Sequence, residues 1–154
     1  MKPHAGFWVR FVANLIDWIV LTIATAFAQL FLLGTYYWIA RVGSGGGPSF
    51  ADAFEGSFLQ LMNSALYGSA AIAYYGWGHF RYGTTLGKRA LDIRVVDAAN
   101  GSGITLSQSL LRCFGYAVSY VPLCLGFVVA GFHPRKQALH DLIAGTVCVR
   151  GGRP

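Results

Sequence analysis

The 154 residues are 55% hydrophobic and 12% charged, with a net charge of +6, whereas soluble chains carry about 25% charged residues. Leu, Ile, Val, Phe, Tyr and Trp run in long blocks rather than at amphipathic spacing. This excludes an ordinary soluble domain and reads as a single membrane domain over residues 1–154. The basic balance does not indicate nucleic acid, because Lys and Arg flank apolar segments instead of clustering on a soluble surface, a pattern that fits cytoplasmic loops facing anionic lipid.

Residues 1–9, MKPHAGFWV, form a short basic lead-in with an aromatic pair. The stretch Arg10–Leu33 is long and apolar enough to cross the roughly 30 Å hydrocarbon core as a helix. At about 100° per residue, Arg10, Asn14 and Asp17 share one face, widened by Thr22, Thr25 and Gln29. Val12, Ile16, Ile19, Ile23 and Leu30 lie opposite, so the helix carries a polar stripe toward protein or water and an aliphatic side toward lipid. Trp8 at the start and Tyr36, Tyr37 and Trp38 at the end read as interfacial belts, and Lys2 with Arg10 keeps the N-terminus in the cytoplasm. Ala-Thr-Ala and Ala-Phe-Ala triplets imitate a signal-peptide cleavage site. The apolar run is too long for one and contains Asp17, so an uncleaved span is expected.

The loop 34–56 contains the turn-rich GSGGGP run and balances Arg41 with Asp52 and Glu55, as a non-cytoplasmic loop does. Residues 57–77 form a second span, in which Ser64 with Gly68, and Ala65 with Ser69 and Ala73, make small-residue packing faces. Asn63, Tyr67 and Tyr74 offer polar atoms to the first helix. The basic segment from His79 to Gln108 then belongs in the cytoplasm. It contains the β-favouring run IRVV, a tight turn at Asn100-Gly101, and a helix start at Thr105, Ser107 and Gln108.

Residues 109–132 are long enough for a third span, but Pro122 interrupts them and a full crossing would export Arg135, Lys136, Arg150 and Arg153. A broken pair of helices entering and leaving on the cytoplasmic side keeps that basic tail inside, with a plain third span as the alternative. The tail begins as a short amphipathic helix and ends in TVCV, a strand able to pair with IRVV. The expected class is therefore an all-α membrane protein of two transmembrane helices plus a broken, re-entrant third segment, with short cytoplasmic β-like strands. Three full spans are the alternative.

Arg10 and Asp17 lie about 10 Å apart along their helix, too far to pair directly. Asn14 is placed to bridge them, and Arg112 is the best-placed cation for Asp17. A buried carboxylate of this kind is either an ion or proton site or a charge lock that fixes packing. Asp141 beside His140 reads as a solvated pair or, in the preferred arrangement, as folded back onto Arg10. Lys88, Arg89, Arg135 and Lys136 are expected to meet lipid phosphates. GTTLGKR lacks the Walker spacing and its Ser or Thr after Lys, which removes an ATPase. His4, His79, His133 and His140 have no metal-ligand spacing, so no metal or cofactor is expected. Cys113, Cys124 and Cys148 read as reduced structural thiols. No nucleophilic motif is present, and no enzyme is expected.

With Arg10, Asp17, the GTTLGKRALDIRVVD segment, Arg112 and Asp141 in LHDLIAGT in view, the chain resembles the RDD family of membrane proteins over essentially its whole length. The resemblance matches Arg10 and Asp17 to the arginine and aspartate of the first helix and Asp141 to the second aspartate. The AANGSG loop is longer than the turn expected there. The resemblance implies a role in transport. The leading expectation is a multi-pass protein of the bacterial inner membrane, in ion or small-solute transport through Asp17. The alternative is a non-catalytic accessory subunit of a larger membrane complex. The expected partners are membrane lipids and further copies or other membrane subunits, with no nucleic acid.

Overall fold

The computed structural model describes residues 3–44, 57–120 and 125–151. It is mostly helical with one small sheet. The elements are α1 (Phe7–Ser44), α2 (Ser57–Tyr82), α3 (Leu86–Ala90), β1 (Ile93–Asp97), α4 (Leu106–Tyr120), α5 (Leu125–Phe132), α6 (Leu139–Ala144) and β2 (Thr146–Arg150). The chain divides into two compact units, residues 19–71 and residues 1–18 with 72–154.

Among the described residues, one helix is long and apolar enough to cross a membrane, over Phe7–Ile39 of α1. It extends further than expected. Residues 34–44, read as the beginning of a loop, continue the helix, because an isolated Gly34 costs only about 1 kcal/mol and the aromatic run behind it has no breaker. Within the smaller unit the Thr25 hydroxyl donates to the Leu21 carbonyl at 2.8 Å and the Thr35 hydroxyl to Phe31 at 2.8 Å, so these hydroxyls are satisfied within the helix. Gln29 donates to Asn63, so two polar side chains of neighbouring helices meet as the sequence anticipates. On the opposite side Val12, Ile19, Ile23 and Leu30 are exposed, as a lipid-facing surface requires.

Helix α2 also runs past its expected end, through His79 to Tyr82, and stops where Gly83 takes φ +65° and donates its N–H to the His79 carbonyl at 2.9 Å. The small residues Ser64, Ala65, Ser69 and Ala73 are exposed and do not form close-packing faces within the chain.

The larger unit is built on an antiparallel pair, β1 with β2, in register Ile93 to Arg150 and Asp97 to Thr146. The N-terminal strip joins the same sheet. His4 bridges to Val149, Ala5 N–H donates to the Cys148 carbonyl at 2.9 Å, and Arg150 N–H donates to Pro3 at 2.9 Å. Alternation along β1 turns Ile93 and Val95 inward, where they pack with Cys148, Ile104, Ala5 and Ala13 as the apolar core. The turn after β1 closes at Asn100-Gly101, with Gly101 at φ +71°, as predicted. Helix α4 opens with a reciprocal cap in which Gln108 N–H donates to the Thr105 hydroxyl at 3.2 Å and Thr105 N–H donates to Gln108 Oε1 at 2.9 Å. The apolar stretch 109–132 is carried by two helices, α4 and α5, and α4 packs against α6. Pro122 and Cys124 fall outside the described residues.

Candidate functional site

Every residue that contributes to the site lies in the larger unit. Three buried polar nests sit side by side, centred on Asp141, Asp17 and Lys88.

Asp141 is on the first turn of α6 with no exposed surface. Its carboxylate is gripped from two directions: Arg10 of α1 forms an ion pair with Oδ2, and Arg112 of α4 with Oδ1. Ala138 N–H donates to Oδ2 at 3.0 Å, tying the acid to its own helix start. Arg10 also donates to the Lys136 carbonyl at 2.6 Å and lies 3.3 Å from His140 Nε2, while Arg112 extends to the Thr146 hydroxyl. The grip therefore joins α1, α4, α6 and β2. Burial pulls the Asp141 carboxyl upward, but Arg112 and Arg10 outweigh it and hold the group well below the usual carboxylate range. Burial drives His140 the other way, well below the ordinary imidazole value. The charges of Arg112 and Arg10 add to that, against the opposing pull of Asp141. His140 is thus neutral, with Nε2 free to accept from Arg10. Gly115 lets α6 come this close, since a Cβ there would stand 2.8 Å from the Cα of His140.

The second nest surrounds Asp17, also fully buried. The Tyr74 hydroxyl of α2 donates to Oδ1 at 2.6 Å, the Thr85 hydroxyl to Oδ2, and Gly87 N–H to Oδ1 at 2.7 Å. The loop between α2 and α3 folds back so that the start of α3 meets the carboxylate. This approach demands glycine: a Cβ on Gly87 would lie 2.1 Å from the Ala13 carbonyl and 3.0 Å from Asp17.

The third nest holds Lys88, which is 1% exposed. Its ammonium donates to the Tyr116 hydroxyl at 3.0 Å and to His79 Nε2 at 2.9 Å, and sits 5.8 and 5.6 Å from the Tyr75 and Tyr116 ring centres. Tyr116 in turn lies 4.3 Å from the His140 ring, linking this nest to the first.

Several sequence expectations are corrected by this arrangement. Arg112 is committed to Asp141 and does not answer Asp17, whose described partners are hydroxyls and one backbone N–H. Asn14 does not bridge Arg10 and Asp17. Its Oδ1 is buried without a hydrogen-bond partner beside a cavity of about 40 Å³ shared with Phe7, Arg10 and His140. Lys88 is not at the surface to meet lipid phosphate, because its stem and head are enclosed by rings. His140 and Asp141 are buried, not solvated. Arg89, Arg135 and Lys136 are exposed, as lipid contacts require, and Arg10 does meet Asp141 as preferred. Tyr74, Thr85, Gly87, Tyr116, His79 and Thr146 complete the site. Of these, Tyr74 is anticipated as a polar atom offered to the first helix, Thr85 and Gly87 carry a signal in the GTTLGKR spacing, and the others carry none. Among the described residues no three His, Cys, Asp or Glu side chains come together as metal ligands, and Cys113 and Cys148 are free thiols.

The model of the RDD family matches residues 4–145, a range that takes in every residue of the three nests except Thr146. Two relatives from Bacillus subtilis (strain 168) align over nearly the whole chain. Uncharacterized protein YxaI is 28% identical, covering 95% of this chain and 97% of its own. Uncharacterized membrane protein YteJ is 29% identical, covering 95% and 80%. Uncharacterized protein YckC of the same organism is 31% identical over 94% of this chain and 83% of its own. No solved structure matches. With its long apolar helix, its namesake arginine and aspartates, and a family match over most of its length, this chain is a membrane protein that belongs to the RDD family.

Proposed function

We propose that this protein is a non-catalytic structural subunit of a larger membrane assembly, in which the buried charges fasten a cytoplasmic cap to the membrane helices. The observation that carries this reading is Asp141, fully buried and held at once by Arg10, Arg112 and Ala138 N–H. An acid that carries protons or ions must be reached in some state by what it carries. Here both acids are spent as fasteners. A buried pair of this kind specifies an arrangement more than it adds net stability, while removal of one partner costs about 3–5 kcal/mol because the other charge is left stranded.

The proposed topology is two crossings by α1 and α2 and a third apolar stretch that leaves and returns on the cytoplasmic side. Its support is the pairing of β1 with β2. These strands precede and follow the third stretch, so an even number of crossings separates them. The N-terminal strip bonds to the same sheet, and Arg89, Arg94, Arg135 and Arg150 gather on that side, which the positive-inside rule assigns to the cytoplasm.

The competing reading, ion or solute transport through Asp17, is separated by reconstitution. Proteoliposomes of the wild type are expected to pass protons and monovalent cations no faster than empty vesicles. Asp141→Asn and Asp17→Asn are expected to lower the melting temperature of the purified protein and its recovery in membrane complexes. Flux by the wild type that disappears in an Asp17→Asn protein melting like the wild type would overturn the structural role.

A further inference from the structure

We infer that the cavity between the end of α2, the sheet and the loop before α4 is a binding site for a phosphate-bearing anion of head-group size. The cavity measures about 530 Å³, within the 300–1,000 Å³ typical of small-ligand sites. Its lining includes Arg81 and Arg94, the aliphatic Val149 and Ile104, and the aromatic Phe80 and Tyr82. Among the described residues neither arginine has an acidic partner, and none of the cavity's lining residues is acidic. This sets the pair apart from Arg10 and Arg112, which are neutralised by Asp141.

Two unpaired guanidiniums over one cavity attract an anion, and their planar donor forks fit phosphate oxygens. Arg94 is fixed by the sheet, in register with Val149. Arg81 rests with its guanidinium 5.9 Å from the Tyr82 ring centre, which limits its freedom before a ligand arrives. The aromatic setting favours a lipid source. Trp77, Phe80 and Tyr82 are 60%, 39% and 61% exposed on the last turns of α2, the composition of a helix end at the head-group level. An anionic glycerophospholipid would set its phosphate between the arginines, with its glycerol and chains toward these rings. A soluble phosphomonoester offers the same phosphate without chains. The inference does not depend on the structural-subunit reading, since none of these residues belongs to the three nests.

The test uses the full-length protein in detergent, with phosphatidylglycerol, phosphatidylcholine and glycerol 3-phosphate as probes. Retention is read by native mass spectrometry and stability by melting temperature. Phosphatidylglycerol is expected to be retained and to raise the melting temperature more than phosphatidylcholine does. Combining Arg81→Gln with Arg94→Gln should weaken its retention about tenfold or more, the loss of one or two charge-assisted hydrogen bonds. Arg89→Gln, a charge removed elsewhere, should leave retention unchanged. Stabilisation by glycerol 3-phosphate that the double substitution abolishes, without preference for phosphatidylglycerol, would support the same site with a soluble occupant. Equal response of wild type and double variant to every probe, or no response of the wild type to either phosphate, would overturn the proposal. Should the double variant fold poorly in phosphatidylcholine, Arg81→Gln alone carries the comparison, because that side chain is exposed at a helix end.

Discussion

Two guanidiniums on one carboxylate leave the Asp141 nest with surplus positive charge, and a neutral His140 is what that surplus permits. A second proton on the ring would stand against Arg10 at 3.3 Å. The pH dependence follows from the direction of each shift. His140 is depressed in the fold, so the unfolded chain binds a proton that the folded chain refuses, and stability falls as pH drops below about 6.5, the ordinary imidazole value. Asp141 is depressed as well. Its contribution is full above about 3.9, the unfolded carboxylate value, and is lost as pH falls through its folded value. Melting in detergent should therefore be level above neutrality and decline from about pH 6.5 downward, and His140→Asn should make the limb between about pH 6.5 and 5 shallower without abolishing it, since His79 is buried as fully. An unchanged limb in that variant would assign the decline elsewhere. At this scale the sequence was only half readable. The rarity of charge inside an apolar run marked Arg10 and Asp17, and the preferred fold-back of Asp141 onto Arg10 is what the structure contains. Tyr74 is legible as a polar atom facing the first helix, whereas the Thr85 hydroxyl and the Gly87 N–H carry no charge that marks them as partners of Asp17. Charge alone points Asp17 to Arg112, which in the fold serves Asp141.

The returning loop and α3 make a structural element of a segment that the sequence offers as a rejected phosphate loop and as part of the family resemblance. Thr85, Gly87 and Lys88 divide three tasks: the hydroxyl and the glycine N–H satisfy Asp17, and the lysine turns into the ring cluster of the third nest. Gly87→Ala should be among the most damaging single-methyl additions in the protein. Overpacking ordinarily costs about 1–3 kcal/mol, and here the added carbon meets backbone of α1, which cannot rotate away. The expected result is loss of folded monomer on size-exclusion chromatography, while Gly103→Ala, with nothing within 4 Å of the new carbon, should behave as wild type. Comparable profiles for the two would show that α3 does not need its close approach. Local chemistry made the short elements legible. The Thr105 and Gln108 cap, the Asn100-Gly101 turn and the two β-branched runs all formed where their residues called for them. The long helices are less legible at their ends. Neither 34–44 nor 78–82 contains a strong breaker, so α1 runs on to Ser44 and α2 continues until Gly83 takes the left-handed conformation.

At the scale of the whole molecule, the proposed topology rests on hydrogen bonds that a bilayer cannot separate. β1 and β2 exchange backbone bonds, and the strip before α1 bonds to β2. All three must share one aqueous compartment, because unpaired backbone groups in hydrocarbon cost several kcal/mol each. A single full crossing between β1 and β2 would place them on opposite sides and is incompatible with this sheet. Composition alone left two arrangements open for residues 109–132, since length argued for crossing and the basic tail against it. The β1–β2 pairing is the long-range contact on which the proposed re-entrant arrangement rests. Reporter fusions give the decisive measurement. A fluorescent protein that folds only in the cytoplasm should light up when joined to either terminus, and alkaline phosphatase, active only after export, should stay silent at the C-terminus. Phosphatase activity at the C-terminus with a fluorescent N-terminal fusion would mean an odd number of crossings. In that case the β1–β2 pairing, the Arg10–Asp141 grip and the cap they build could not coexist in the membrane-inserted protein.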